Sequence, residues 1–403
     1  MRKKLLFVTD VFPFPLDRGQ HVRIQNVLAA CGKAFDVTFL GPAPVNRVDR
    51  EAVEQHCARS MYLNGGPTEW TARLSLAART ARATLTVPRP ATIRKYAPFV
   101  AAIRELAPQN FDFVWAERPH IARVCEPFIR RTILDLDDIE HVKIARLLSI
   151  QKPGRGRMHN MYRYRVYRHL ELSWSRRFLA SVVCSEEDRA YLERHGCRNA
   201  VTVPNGPNLA RPWHILPRAR KIDPTTPIRM VFLGNVDSKP NIDAIRFFND
   251  EVLPALLERS PDAVFDVIGP GAATAVDPRF GARVRFRGFV EDLGAALSEY
   301  DVLVAPLRFG GGTKLKVLDA MAHGIPVVTT AVGAEGLSIT HGEHALLAET
   351  AAEIADGILR IKQDEALGNH LATNAFALVR DRFSWDAIRD RLTDWLTRLE
   401  SPA

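Results

Sequence analysis

Short apolar runs alternate with amphipathic stretches along the chain, the pattern of a parallel α/β protein. Residues 4–8 predict a first strand, and 21–30 a helix with Val22, Ile24, Val27 and Leu28 on its apolar side. Further strands are predicted at 37–40, 111–116, 132–136, 181–184 and 200–203. The series then restarts with strands at 230–233, 264–268, 284–286, 302–305 and 327–329, a helix near 241–258 and another from Thr313. Between the two series, residues 204–227 hold six prolines and little periodicity, which predicts a linker. The expectation is two doubly wound halves of Rossmann type facing each other across a cleft. The boundaries are 1–205 for the first domain, 206–227 for the linker and 228–385 for the second domain. A C-terminal helix over 386–403 is expected to pack back toward the first domain.

A length of 403 residues fits two domains, and 46% hydrophobic with 25% charged residues excludes a disordered or fibrous chain. No stretch approaches the roughly 20 apolar residues that a membrane span requires. Arg2, Lys3 and Lys4 precede an apolar run that already ends before Asp10, so it predicts a strand and not a signal peptide. Cys31, Cys57, Cys125, Cys184 and Cys197 are scattered, with no Cys-x-x-Cys pair. That argues against a disulfide framework or cysteine zinc site and fits a reducing cytoplasm.

Charge is unevenly spread. Residues 1–205 hold 33 basic against 20 acidic side chains, and the remainder 22 against 26. A basic first half predicts an anionic partner, either nucleic acid or a membrane surface, unless the asymmetry is only a solvated face. Residues 70–104 contain six Arg and one Lys with no acid, and 152–177 contain eight basic residues and a single acid, Glu171. Met158, Tyr162, Val166, Leu170, Trp174 and Phe178 recur every four residues within the second stretch or at its edge. Such a stripe suits a core face more often than a membrane face. The arginines beside it favour an interfacial role.

In doubly wound sheets, ligands bind beyond the carboxyl ends of the strands. The most informative turn follows the strand at 302–305, where Gly310, Gly311 and Gly312 lead to Thr313, placed to cap the next helix. Free amides there suit phosphate oxygens. Lys316 and Asp319, three apart, share a helix face. The lysine can neutralise a diphosphate and the carboxylate can accept ribose hydroxyls, a combination that a plain strand–loop–helix corner does not need. Gly324 is positioned to end that helix.

These residues carry a resemblance. Residues 300–337, with Asp319-Ala-Met-Ala-His-Gly-Ile-Pro326 and Gly333-Ala-Glu-Gly336, resemble the donor-binding core of retaining family-four glycosyltransferases of the GT-B fold. Gly234, Gly269, Gly271 and Gly288 match further landmarks, as do Pro13, Pro15, Asp17, Gly19 and Arg23 near the start and Asn205-Gly206. The similarity is closest to bacterial enzymes of exopolysaccharide or surface-glycan synthesis.

The resemblance implies sugar transfer, with retention, from a UDP- or GDP-linked sugar to a lipid-linked or polysaccharide acceptor. No further cofactor and no metal is implied. It assigns catalysis to Lys316, Lys239 and Glu117, and donor binding to Gly19, Gly234, Asn235, Gly269, Gly288, Phe289, Val290, Gly310, Gly311, Gly312, Thr313 and Asp319. His21, Arg118, Asp137 and Asp138 fall on the acceptor side. Two family positions differ: Gly311 stands where a first glutamate is usual, and Asn235 where an arginine is. Asp135-Leu-Asp137 spells the Asp-x-Asp of metal-dependent transferases of the other main fold, but the resemblance implies that basic side chains and helix dipoles neutralise the diphosphate, and Asp135, inside the predicted strand, is read as structural. No nucleophile stands out, which fits a front-face mechanism in which the departing phosphate takes the acceptor's proton.

Other readings are weaker. A Rossmann oxidoreductase needs Gly-x-Gly-x-x-Gly after a strand, which Gly269-Pro-Gly271 does not complete. A phosphorylase of the same fold would need a lysine-bound pyridoxal site. A non-catalytic protein binding nucleic acid or a membrane surface leaves the Gly311–Asp319 constellation unused. The expected location is the cytoplasmic face of the membrane, docked through the basic half, with no nucleic-acid partner.

Overall fold

In the computed structural model, which describes residues 2–16, 19–63, 96–106, 111–122, 124–207, 223, 225–271 and 280–401, the chain divides into two compact units. One comprises Met1–Asn205 and Ile388–Ala403, the other Gly206–Ala387.

The first unit is built on seven parallel strands: β1 (Lys4–Val8), β2 (Asp36–Pro42), β3 (Arg59–Leu63), β4 (Phe113–Glu117), β5 (Thr132–Asp137), β6 (Ala180–Val183) and β7 (Ala200–Thr202). Their order is β3-β2-β1-β4-β5-β6-β7. Helices cover both faces of such a sheet, so its strands read as continuous apolar runs. Leu5, Leu6, Phe7 and Val8 are accordingly all fully buried. Phe7 faces Phe39 and Trp115 in register on the neighbouring strands, with ring centroids 6.1 and 6.3 Å away. β3 escapes the sequence pattern because it is an edge strand, exposed at Arg59 and half-buried beyond.

The second unit repeats the plan with six parallel strands in the order β10-β9-β8-β11-β12-β13. These are β8 (Arg229–Leu233), β9 (Val264–Ile268), β10 (Val284–Gly288), β11 (Val302–Ala305), β12 (Val327–Thr329) and the short β13 (Leu346–Leu347). The helix expected at 241–258 is broken. It runs over Lys239–Phe247, opens into a π turn at Phe248–Val252 and resumes at Leu253–Leu257. Pro254 cannot donate to an unbroken helical ladder, and the wider turn before it absorbs the defect.

The C-terminal segment shares contacts with the first unit. Lys3 Nζ donates to Leu399 O at 2.6 Å, and Arg389 Nη1 to Asn26 Oδ1 at 2.6 Å. The apolar stripe of the helix Arg155–Ser175 divides along its length. Trp174 near its end and Phe178 just beyond it are buried, while Met158 near its start is 70% exposed. Most of the basic stretch 70–104 lies outside the described residues, as do most of 206–227 and Asp17. Among the described residues, no helix is long and apolar enough to cross a membrane.

Candidate functional site

The strand order of the second unit reverses between β8 and β11, so the turns leaving these two strands form its ligand-binding edge. β8 runs into Gly234, where a Cβ would lie 2.5 Å from Asn241 Nδ2; Gly269 packs so closely that a Cβ there would lie 2.2 Å from Gly234 O. Only glycine allows the two turns to meet. β11 runs into Gly310, Gly311 and Gly312, with Gly312 in the left-handed region at φ 69°.

The following helix, Leu315–Ala322, starts later than expected. Lys314 is its N-cap residue, and the Thr313 hydroxyl is buried with no hydrogen bond among the described residues. This corrects the capping role expected of Thr313: the left-handed turn at Gly312 and the Lys314 backbone carry the helix start one residue beyond the reach of its hydroxyl. At the other end, Gly324 has φ 68° just past the last helical turn, as a C′ glycine does.

Lys316 donates its Nζ to Asn241 Oδ1 and lies 4.3 Å from the centroid of the Phe232 ring. Asn241 in turn donates to the Asn235 carbonyl at 2.8 Å. Burial, with some help from Lys314, brings the Lys316 ammonium down to about 7. Burial alone lifts the Asp319 carboxyl up to about 7, and among the described residues that carboxyl has no hydrogen bond or ion pair. The two are therefore not paired with each other. A nearby anion would favour the charged lysine, and a hydroxyl donor the charged carboxylate. Lys314 is buried, donating to Gly312 O at 2.7 Å with Glu335 3.8 Å away.

Lys239 stands exposed on the first turn of its helix, and Asn235 is exposed before it. Gly310 faces that turn, with a Cβ there 3.9 Å from Pro240 Cβ. On the β9–β10 side, Gly269 N donates to Gly288 O at 2.9 Å; Phe289 is 68% exposed, and Val290 packs at the edge of the core.

In the first unit the order reverses between β1 and β4. Asp10, just past β1, accepts from Tyr96 Oη at 3.0 Å and lies 3.2 Å from His120 Nε2. None of these three residues stood out in the sequence. They come from distant segments, and only their common position beyond strand ends links them.

Glu117 was expected just past β4 and is instead its last residue, paired in register with Asp135 and fully buried. Both its carboxylate oxygens lack hydrogen-bond partners among the described residues. Burial, reinforced by Asp135, pushes its carboxyl well above the ordinary range. Burial that favours the neutral carboxyl over the carboxylate also suits a neutral amide of the same shape. Glu117→Gln is thus expected to leave neutral-pH stability unchanged or higher. Because the folded-state value is raised, wild-type stability should fall relative to the variant as pH climbs above the ordinary carboxylate range. Urea denaturation of both proteins at pH 4, 6 and 8 checks this.

Arg118 and Asp137, at the ends of β4 and β5, both have left-handed backbones, with φ 73° and 58°. Such strain in non-glycine residues collects at functional sites. Arg118 Nε is buried with no hydrogen bond among the described residues. Behind them, Arg23 forks onto Asp135 at 2.8 and 3.1 Å, with both side chains fully buried, and also reaches Val203 O and Asn205 Oδ1. Asn205 donates to Asp137 Oδ1 at 2.7 Å.

Asp138 is bound by Lys143 Nζ at 3.2 Å and by Cys184 Sγ at 3.1 Å. Asp137, Asp138 and Cys184 are the described residues with metal-ligand spacing. His21 Nδ1 lies 2.6 Å from Pro15 O, next to Gly19 at the helix start.

Residues 227–364 match the family described as Glycosyl transferases group 1. The phosphatidyl-myo-inositol mannosyltransferase of Mycobacterium tuberculosis is 27% identical over 207 residues, 48% of this chain and 53% of the relative. The chain thus spans about half the length of the curated relatives it matches. Sucrose-phosphate synthase from Thermosynechococcus elongatus superposes over 98% of both chains, with a TM-score of 0.66 at 19% identity. Anabaena HepE, solved in complex with UDP-glucose, does so over 98% of this chain and 100% of its own, at 0.62 and 18%. The chain therefore has the GT-B fold, and its residues 227–364 are similar to the group 1 glycosyltransferases.

Proposed function

We propose that the protein transfers a sugar, with retention, from a UDP- or GDP-linked donor to a lipid-linked or glycan acceptor in exopolysaccharide or surface-glycan synthesis. The observation that carries this reading is the group at the β8/β11 edge: Lys316 and Asp319, each moved to about 7 and, among the described residues, each without a partner of opposite charge, beside the Gly310–Gly312 turn. The likeness to a protein solved with UDP-glucose supports it. Lys316, with Lys239 and the turn's amides, meets the diphosphate; Asp319 accepts hydroxyls. As the glycosidic bond breaks, charge grows on the leaving phosphate, and the preorganised cation stabilises it. The phosphate then takes the acceptor's proton.

Thermal-shift measurements with UDP, GDP and NAD against an oligonucleotide test the class. Stabilisation by UDP or GDP alone is expected, and stabilisation by the oligonucleotide alone would favour the non-catalytic reading. Transfer is expected to persist in EDTA, since side chains neutralise the diphosphate. Abolition by EDTA, restored by a divalent cation, would direct attention to Asp137, Asp138 and Cys184.

The reading includes docking on an anionic membrane. Lys152, Arg155, Arg165 and Arg168 are exposed around Met158 and Met161, which are 70% and 42% exposed on the same helix. Each basic residue near an anionic leaflet contributes about 1 kcal/mol. The protein is expected to sediment with anionic vesicles at low salt and to be released at high salt. Equal binding to neutral vesicles, or none, would rule this out.

A further inference from the structure

Arg308 stands two residues before Gly310, at the start of the glycine turn. Its Nε and Nη2 donate to Asp243 Oδ2 and Oδ1 at 2.9 and 2.6 Å, both arms of a guanidinium–carboxylate fork. Its guanidinium also lies 4.9 Å from the centroid of the Phe247 ring, one turn further along the same helix, with Glu251 4.0 Å away. Asp243 and Phe247 belong to the helix Lys239–Phe247, whose first turn bears Lys239 and whose Asn241 holds Lys316. The turn and this helix therefore meet through the Arg308 fork, through Gly310 beside Pro240 and through Lys316 on Asn241.

Glycines give the turn no side chains with which to hold its own shape, and their backbone freedom is large. A planar fork fixes direction as well as distance, which an ammonium does not. We infer that Arg308 is a positioning residue for donor binding: through Asp243 and Phe247 it sets the glycine turn against the helix that orders Lys316, without itself touching the donor. This rests on the proposed donor reading. The pair is only partly buried, so circular dichroism and urea denaturation of each variant separate any loss of folding from the loss of donor handling.

The test is a double-mutant cycle on the full-length protein, reading UDP and GDP affinity by titration calorimetry and kcat and KM by nucleotide release. Arg308→Ala and Asp243→Ala should each lower kcat/KM about tenfold, and the double variant should lose no more than either alone. Arg308→Lys should fail to restore activity, because it keeps the charge and loses the fork. Circular dichroism verifies folding, and Asp243→Asn, which keeps the side-chain shape, substitutes if an alanine variant does not fold. Full additivity, a silent Asp243→Ala or rescue by Arg308→Lys would overturn the inference while leaving the donor reading intact. Failure of the wild type to bind any nucleoside diphosphate would overturn both.

Discussion

Lys316→Ala is expected to lower kcat about 30- to 1000-fold, the loss of on the order of 2–4 kcal/mol seen when a preorganised charge-stabilising group is removed. The effect should fall more on kcat than on KM, because the charge that Lys316 meets grows as the bond breaks. Asp319→Ala should also impair transfer, acting mainly on donor binding. The lysine's own position sharpens the expectation. Burial brings it to about 7, so its ammonium is present below that pH and lost above it. A bound diphosphate holds the proton on. Nucleotide affinity in the wild type should therefore decline as pH rises from 6 to 9, and the Lys316 contribution to that decline should vanish in Lys316→Ala. Comparing UDP and GDP titrations of the two proteins at pH 6, 7.5 and 9 checks the sign. Near-normal turnover in Lys316→Ala would remove the residue from the mechanism.

The largest expected effect on stability lies in the other unit, at the Arg23–Asp135 pair. Both side chains are fully buried and forked together, and Arg23 also serves Val203 O and Asn205 Oδ1. Burial works against the Arg23 charge, and Asp135 and Asp137 more than reverse that. Removing one partner leaves the other charged and desolvated, which typically costs about 3–5 kcal/mol, a large part of a domain's stability. Arg23→Ala and Asp135→Ala are each expected to shift the urea midpoint strongly downward. Arg23→Met combined with Asp135→Leu should recover much of the loss. A single variant within about 0.5 kcal/mol of wild type would show that the pair carries no such burden.

Much of the architecture is legible in the sequence because both sheets are covered on both faces. β1, β11 and β12 appear as mainly apolar runs and β9 as one interrupted only by Asp266, with ends where the pattern puts them. The structural reading of Asp135 also follows from its place inside a strand, although its partner Arg23, 112 residues away, does not. Features that depend on long-range contact or on one backbone angle are not legible. The π turn before Pro254 replaces a continuous helix, and the left-handed turn at Gly312 moves the helix cap from Thr313 to Lys314.

Lys316 and Asp319 are readable from their spacing after a glycine run. Asn241, which holds Lys316, lies 75 residues earlier inside an ordinary helix and carries no local signal. Asp10, Tyr96 and His120 are likewise gathered only by the reversal of strand order between β1 and β4.

The central claim is that the β8/β11 edge of the second unit handles a nucleotide-diphosphate sugar. Its most direct test is nucleotide release from a panel of UDP-, GDP- and dTDP-sugars, in EDTA, with a lipid extract and glycan acceptors supplied. The wild type is expected to release UDP or GDP from one donor in an acceptor-dependent manner, and Lys316→Ala to release it at least about 30-fold more slowly. No release from any donor by the wild type, or equal release by Lys316→Ala, would contradict the account.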